Sequence, residues 1–151
     1  MTEWIKRKDF NKVFLPLARK GKQIWVVGKV TQLPSEIVNM AHRLADLDVI
    51  NFVRICSLTL TASSENFQKK PKVPVVDMHH ETAIGIEILY DVQQKYIDFY
   101  CINSPIKGNG GRMVDAILTD LPKDWQPCVA LDRSDGFWDS IKEKYAGFEW
   151  I

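Results

Sequence analysis

The segment from Lys107 to Arg112 combines bare backbone with two cations, between a strand-like run and a helix-like run. Its members are Lys107, Gly108, Asn109, Gly110, Gly111 and Arg112. The first N–H groups of a helix lack intrahelical partners and carry partial positive charge, so a helix start can hold a phosphate group. Glycines let such a ligand come close to the amides. The same glycines can instead only form a tight turn with positive φ.

Two carboxylates, Glu87 and Asp98, interrupt apolar runs that are typical of strands. Burial there would raise the pKa of each carboxyl toward the range of a general base. Whether they share a face depends on the register of the hairpin, because a slip of one residue reverses the faces. The alternative interpretation is that each carboxylate lies on a solvated strand face.

Three further side chains could take part in acid–base or nucleophilic chemistry. Tyr145 is a candidate acid, although its spacing from Phe137 and Ile141 is also that of a core residue. Ser134 could supply a hydroxyl, or could simply cap a helix or lie in a loop. Cys101 is interpreted as an inert thiol, because no basic residue adjoins it in the sequence.

These residues need strands and helices to position them, and the apolar periodicity predicts both. The expected strands cover 23–30, 48–61, 82–90, 96–103, 128–131 and 148–151. The expected helices cover 34–47, 111–119 and 137–145, the last with Asp135 as its N-cap. Residues 1–22 fit a short helix or an irregular cover, and 62–74 an exposed loop. Runs 82–90 and 96–103 are predicted to form a hairpin.

Composition excludes several function classes. The chain has 151 residues and a formal net charge of +1, so no global field would recruit nucleic acid or an anionic membrane. Its three cysteines are widely spaced and predict neither a disulfide framework nor a zinc site. The adjacent His79 and His80 would point to opposite faces of an extended chain, so no metal site is predicted. We expect one domain, without a leader or membrane segment, in the cytoplasm.

The order of elements and several motifs resemble the GNAT superfamily of N-acetyltransferases over about residues 82–151. In that family a strand leads into an Arg/Gln-x-x-Gly-x-Gly/Ala loop and a helix. The residues that carry the resemblance are Tyr100-x-Ile102, Lys107-Gly108-Asn109-Gly110, the helical run 111–118, Phe137-Trp138 and Tyr145-Ala-Gly-Phe148. Residues 1–81 form a divergent half that agrees only in element order.

The resemblance implies an α/β (α+β) fold: a single domain with a central mixed, mostly antiparallel sheet flanked by helices. It implies acetyl-CoA as cofactor, with its diphosphate on the amides of 108–112 and its pantetheine arm in a split of the sheet beside Tyr100 and Ile102. The acceptor would be an amine of a small molecule or a protein, entering near 62–75, and a homodimer is possible. Lys69, Lys70 and Lys72 could contact the adenosine 3′-phosphate or an acidic partner, or be solvated.

Trp138 follows Phe137, where the family often has a catalytic tyrosine. An indole cannot donate a proton to a thiolate, so two other classes stay open. One is an inactive GNAT-like domain that still binds coenzyme A. The other is an α/β interaction domain in which the glycines only form a turn.

Overall fold

The computed structural model describes residues 2–67, 73–130, 132, 134 and 136–151. These described residues contain eight strands, four α-helices and a 3-10 helix at Arg7–Asp9. The strands are β1 Trp4–Lys6, β2 Gln23–Val26, β3 Gln32–Pro34, β4 Phe52–Ile55, β5 Thr59–Ser63, β6 Gly85–Asp91, β7 Tyr96–Asn103 and β8 Gln126–Cys128. The helices are α1 Phe10–Arg19, α2 Ser35–Asp46, α3 Asn109–Leu118 and α4 Phe137–Lys144.

Six of the strands form a mixed sheet in the order β2-β4-β5-β6-β7-β8, and β1 pairs with β3 in a separate two-stranded sheet. The three inner pairs, from β4 to β7, are antiparallel. The two outer pairs, β2 with β4 and β7 with β8, are parallel. The expected single domain with a mixed, mostly antiparallel sheet and flanking helices is therefore confirmed.

One apolar core joins the four helices to one face of the sheet. Along β6 the core residues alternate: Ile86, Ile88 and Tyr90 are buried, whereas Glu87 and Leu89 lie on the other face and are half-buried. Period-2 burial of this kind is what a sheet with one apolar face shows. Among the described residues, no helix is long and apolar enough to cross a membrane.

The structure corrects several expected boundaries. The run 48–61 is not one strand, because a turn after Ile55 divides it and the chain returns antiparallel as β5. Residues 148–151 do not form a strand, although the Ile151 N–H donates to Pro127 O at 3.0 Å. Helix α4 begins after Gly136, in the left-handed region with φ 89°. The expected cap at Asp135 and the lysines at 69, 70 and 72 lie outside the described residues.

Candidate functional site

Strand β7 is paired to different extents on its two sides. On one side β6 follows it along its whole length, from Asp91 opposite Tyr96 to Gly85 opposite Asn103. On the other side β8 pairs only with Tyr96–Asp98. From Phe99 onward, the β8 side of β7 therefore lacks a strand partner among the described residues.

A β-bulge lies where this pairing stops. Glu87 pairs with Cys101 and Ile88 with Phe99, so Tyr100 is the extra residue on β7. The Tyr100 side chain is 60% exposed. Bulges bend the strand that carries them and re-aim its side chains. The bulge accordingly coincides with the point where β7 leaves β8.

A cavity of about 240 Å³ opens beside this separated part of β7. Its lining combines β7, the chain after β7, the first turn of α3 and the start of α4. The lining residues are Met78, Phe99, Tyr100, Cys101, Ile102, Ser104, Gly110, Ser134, Phe137 and Trp138. The structure thus brings together four of the predicted site residues: Tyr100, Ile102, Gly110 and Ser134.

The glycine segment forms the helix start that the sequence predicts. Gly108 adopts φ 100°, in the left-handed region that favours glycine, and α3 begins at Asn109. Asn109 and Gly110 are buried, and a Cβ on Gly110 would lie 3.4 Å from the Phe137 ring. Beside Gly108 and Gly111 there is open space. A ligand at this helix start would therefore meet the amides on either side of Gly110, because Phe137 covers Gly110 itself.

The two cations of the segment differ in their surroundings. Arg112 donates a hydrogen bond to Asp48 Oδ1 at 2.8 Å and another to Asn109 Oδ1 at 3.2 Å. The Arg112 guanidinium holds the pKa of Asp48 below its ordinary value. Lys107 is exposed. Lys107 is consequently the better placed of the two to meet an anion, since Arg112 already has a carboxylate partner.

The register between β6 and β7 places the two carboxylates, Glu87 and Asp98, on the same face of the sheet. Asp98 pairs with Leu89, two residues from Glu87 on β6. Glu87 is half-buried, and its burial raises the pKa of its carboxyl. Asp98 is buried, and its Oδ1 accepts a hydrogen bond from the Ala130 N–H at 3.3 Å. Asp98 therefore helps to fasten the chain after β8, whereas Glu87 lies one strand from the cavity.

Ser134 fits both of its predicted interpretations. It lines the cavity, and its hydroxyl donates to Asp132 Oδ1 at 2.7 Å. Its oxygen also accepts a hydrogen bond from the Trp138 N–H at 3.4 Å, near the start of α4. These bonds hold the hydroxyl at the cavity wall, and the bond from Ser134 lowers the pKa of Asp132.

Tyr145 is not brought to the cavity. It follows α4, is half-buried, and donates a hydrogen bond from its hydroxyl to Asp115 Oδ1 on α3. Burial and this carboxylate raise the pKa of Tyr145 to about 12. Tyr145 therefore lies where the core interpretation of its spacing puts it. Its expected role as an acid does not fit this geometry.

The histidine pair has local structural roles. His80 Nδ1 accepts hydrogen bonds from the N–H groups of Thr82 and Ala83, at 3.2 and 2.9 Å. The His79 N–H donates to Asn103 Oδ1 at 2.9 Å. Within the described ranges, no three histidine, cysteine or acidic residues are grouped so as to hold a metal ion.

Sequence reasoning missed part of the cavity wall. Met78 carries no signal in the sequence, because it lies outside every periodic run. Phe99 belongs to an apolar run that predicts core, and it also lines the cavity. Phe137 and Trp138, which are among the residues that carry the family resemblance, line the cavity as well. Phe99 and Trp138 pack together with ring centroids 5.0 Å apart, so this wall is a tilted aromatic pair.

Comparison with protein-family models, with curated proteins and with solved structures found no match to this chain. A functional proposal therefore depends on the geometry and chemistry of the cavity.

Proposed function

We propose that this protein is an acetyl-CoA-dependent N-acetyltransferase of GNAT-like architecture that acts on an amine. The observation that carries the proposal is the separation of β7 from β8, which opens a cavity next to a glycine-rich helix start. A slender acyl-carrying arm and a diphosphate are the two ligand parts that such a site accommodates together.

The described residues fit the parts of coenzyme A in different places. From Phe99 onward, the side of β7 that has no strand partner among the described residues offers backbone groups to the amides of a pantetheine arm. Phe137 and Trp138 supply apolar walls, and 240 Å³ suits the arm but not the whole molecule. The amides at Gly108 and Gly111, with open space beside them, would meet the diphosphate with Lys107 nearby.

Acetyl transfer to an amine also needs a proton acceptor. When bound, the thioester supplies the acetyl group, and the chain must take a proton from the attacking amine. Glu87 is the candidate for this task because it lies directly opposite the cavity residue Cys101 on the neighbouring strand, and burial raises the pKa of its carboxyl. The Ser134 hydroxyl donates its proton to Asp132 and accepts from the Trp138 N–H, so its oxygen can accept one further hydrogen bond from an N–H or O–H group of the substrate.

A second candidate is a GNAT-like domain that binds coenzyme A without turnover. Two observations favour it. The Tyr145 hydroxyl is hydrogen-bonded to Asp115 away from the cavity, and Trp138 occupies the cavity wall. In that case neither Tyr145 nor the position after Phe137 supplies a phenol at the cavity to protonate a departing thiolate. Binding and turnover must therefore be measured separately.

A thermal shift measurement tests binding, because a ligand that binds only the folded state raises Tm. We expect acetyl-CoA to raise the Tm of the wild-type chain and not that of Gly110→Asp. The new carboxylate would stand against Phe137 and repel a phosphate. Gly28→Asp is the matched control, since open space surrounds Gly28 far from the cavity residues. If the wild-type Tm does not rise, or Gly110→Asp keeps the full shift, the proposed site is excluded.

Release of free thiol from acetyl-CoA with a panel of amines tests turnover. We expect at least one small or peptide amine to accelerate thiol release over the background in buffer. A clear thermal shift without thiol release for any amine would favour the binding domain over the transferase.

A further inference from the structure

Cys101 is the cysteine that the fold brings to the cavity. It lies one residue after the bulge at Tyr100, is half-buried, and belongs to the cavity lining. No base adjoins it in the sequence, but the register places Glu87 directly opposite it on β6. The sequence could not reveal this carboxylate, because fourteen positions and a bulge separate the two residues (101 − 87 = 14).

We propose that Cys101 takes the acetyl group from the thioester before it passes to the amine, with Glu87 as the proton acceptor of the Cys101 thiol. This inference rests on the proposed function and adds a covalent step to it.

The geometry of the pair supports proton transfer. Residues directly opposite each other in an antiparallel pair have Cβ atoms about 4.5–5.5 Å apart and side chains on the same face. A glutamate side chain is long enough to span that distance, so the proposed step places the Glu87 carboxylate beside the Cys101 sulfur. In the structure the Cys101 thiol donates a hydrogen bond to Val76 O at 3.8 Å, so in the proposed step the S–H must turn from this carbonyl toward Glu87. A thiol is activated when a neighbouring base removes its proton, because the thiolate is the nucleophile.

The other two cysteines lack this combination. Cys128 pairs with Asp98, and burial together with the Asp98 charge raises the pKa of its thiol. Cys56 precedes β5, and its backbone oxygen accepts a hydrogen bond from the Tyr90 hydroxyl at 2.5 Å. Neither is among the described residues that line the cavity. They provide matched controls of the same residue type.

The step balances without any further reagent. Glu87 accepts the thiol proton, and the Cys101 sulfur forms a bond to the acetyl carbonyl carbon while the bond from that carbon to the sulfur of coenzyme A breaks. The proton returns to the departing thiolate, giving free coenzyme A and an acetyl thioester on Cys101. The amine then attacks this thioester, an amide forms, and the Cys101 thiol is restored.

Intact mass spectrometry after brief incubation with acetyl-CoA alone, followed by an acid quench, tests the step. We expect a mass increase of one acetyl group, located on Cys101 by peptide mapping and removed by hydroxylamine. Cys101→Ala and Cys101→Ser should lose the label, while Cys128→Ala should keep it. Glu87→Gln should acquire it at least tenfold more slowly at neutral pH.

Thermal shifts on the same samples separate this step from the proposed function. A shift with acetyl-CoA in Cys101→Ala, combined with loss of the label and of turnover, supports the step. A shift in the wild type without a hydroxylamine-labile label, or full turnover in Cys101→Ala, overturns the step and leaves the proposed function standing. The absence of a shift in the wild type overturns both.

Discussion

The two outer strand pairs of the sheet are both parallel, yet they differ in how much of each strand is paired. At one edge β2 pairs with β4 through all four of its residues, from Gln23 opposite Phe52 to Val26 opposite Ile55. At the other edge β8 pairs with only three of the eight residues of β7. The cavity lies at the second edge because β7 is long and bulged, and because its β8 side has no strand partner among the described residues after Asp98. The cavity therefore arises where pairing on one side of a strand is interrupted.

Tryptophans at the two edges give the strongest test of this difference. Trp138 is 4% exposed and packs on Phe99, so we expect Trp138→Ala to lower the free energy of unfolding by about 3–5 kcal/mol. Trp25 is half-buried and stacks on Phe52 with centroids 5.9 Å apart, so Trp25→Ala should cost about 1–2 kcal/mol. Urea unfolding measures both. Equal losses would contradict the view that the cavity edge depends on its aromatic wall.

Glu87→Gln should lower acetyl transfer at neutral pH about a hundredfold, because a general base contributes roughly that much. Burial raises the pKa of Glu87, so the wild-type rate should rise with pH through this raised value, and the variant should lose that rise. The effect of pH on stability has the opposite sign: raising the pH increases the expected rate but lowers the contribution of Glu87 to the free energy of unfolding. A raised pKa in the folded state favours folding below the unfolded pKa, and this contribution disappears as pH rises through the folded value.

The stability part of this prediction is checked by urea unfolding at several pH values. At neutral pH the Gln variant should be at least as stable as the wild type, because it buries no charge. A variant that is less stable than the wild type at neutral pH would show that the Glu87 carboxylate is stabilised in the fold.

Tyr145→Phe should lower the free energy of unfolding by about 1 kcal/mol, since it removes a hydrogen bond to a partly exposed carboxylate. The pKa of Tyr145 is raised to about 12, so the contribution is present below pH 10 and is lost as pH rises toward that value. Chemical unfolding at pH 7 and pH 11 measures this loss. Turnover should be unchanged, because Tyr145 is not among the residues that line the cavity; a large loss of turnover would restore it as the acid.

The smallest expected effect comes from Gly111. A methyl group there meets no heavy atom within 4 Å beyond its chain neighbours and the backbone of its own helix. Because alanine favours the helix, Gly111→Ala should raise the free energy of unfolding by about 0.5–1 kcal/mol without ligand. Gly108→Ala is the matched comparison. Its φ of 100° strains any other residue, so this variant should be destabilised by about 1 kcal/mol or more. Urea unfolding of the two alanine variants distinguishes a helical glycine from a turn glycine.

The fold was predictable where periodicity was strong. The hairpin, α2, the start of α3 at the glycines and α4 all follow from apolar spacing and from turn residues. The division of 48–61 into β4 and β5 was not predictable, because Cys56-Ser57-Leu58 contains neither glycine nor proline. Part of the site was predictable and part was not. The residue type of Gly108 indicates its positive φ, whereas the spacings of Tyr145 and Ser134 each fit two environments.

The sequence by itself determined which backbone is bare, which runs are apolar and which carboxylates interrupt them, since these depend on residue type and local period. Only the tertiary structure decided that Glu87 opposes Cys101, that Arg112 binds Asp48 and that the pairing of β7 with β8 ends after Asp98. The physical reason is that register, bulges and long-range ion pairs depend on how distant segments meet, and no local pattern of residues encodes that meeting.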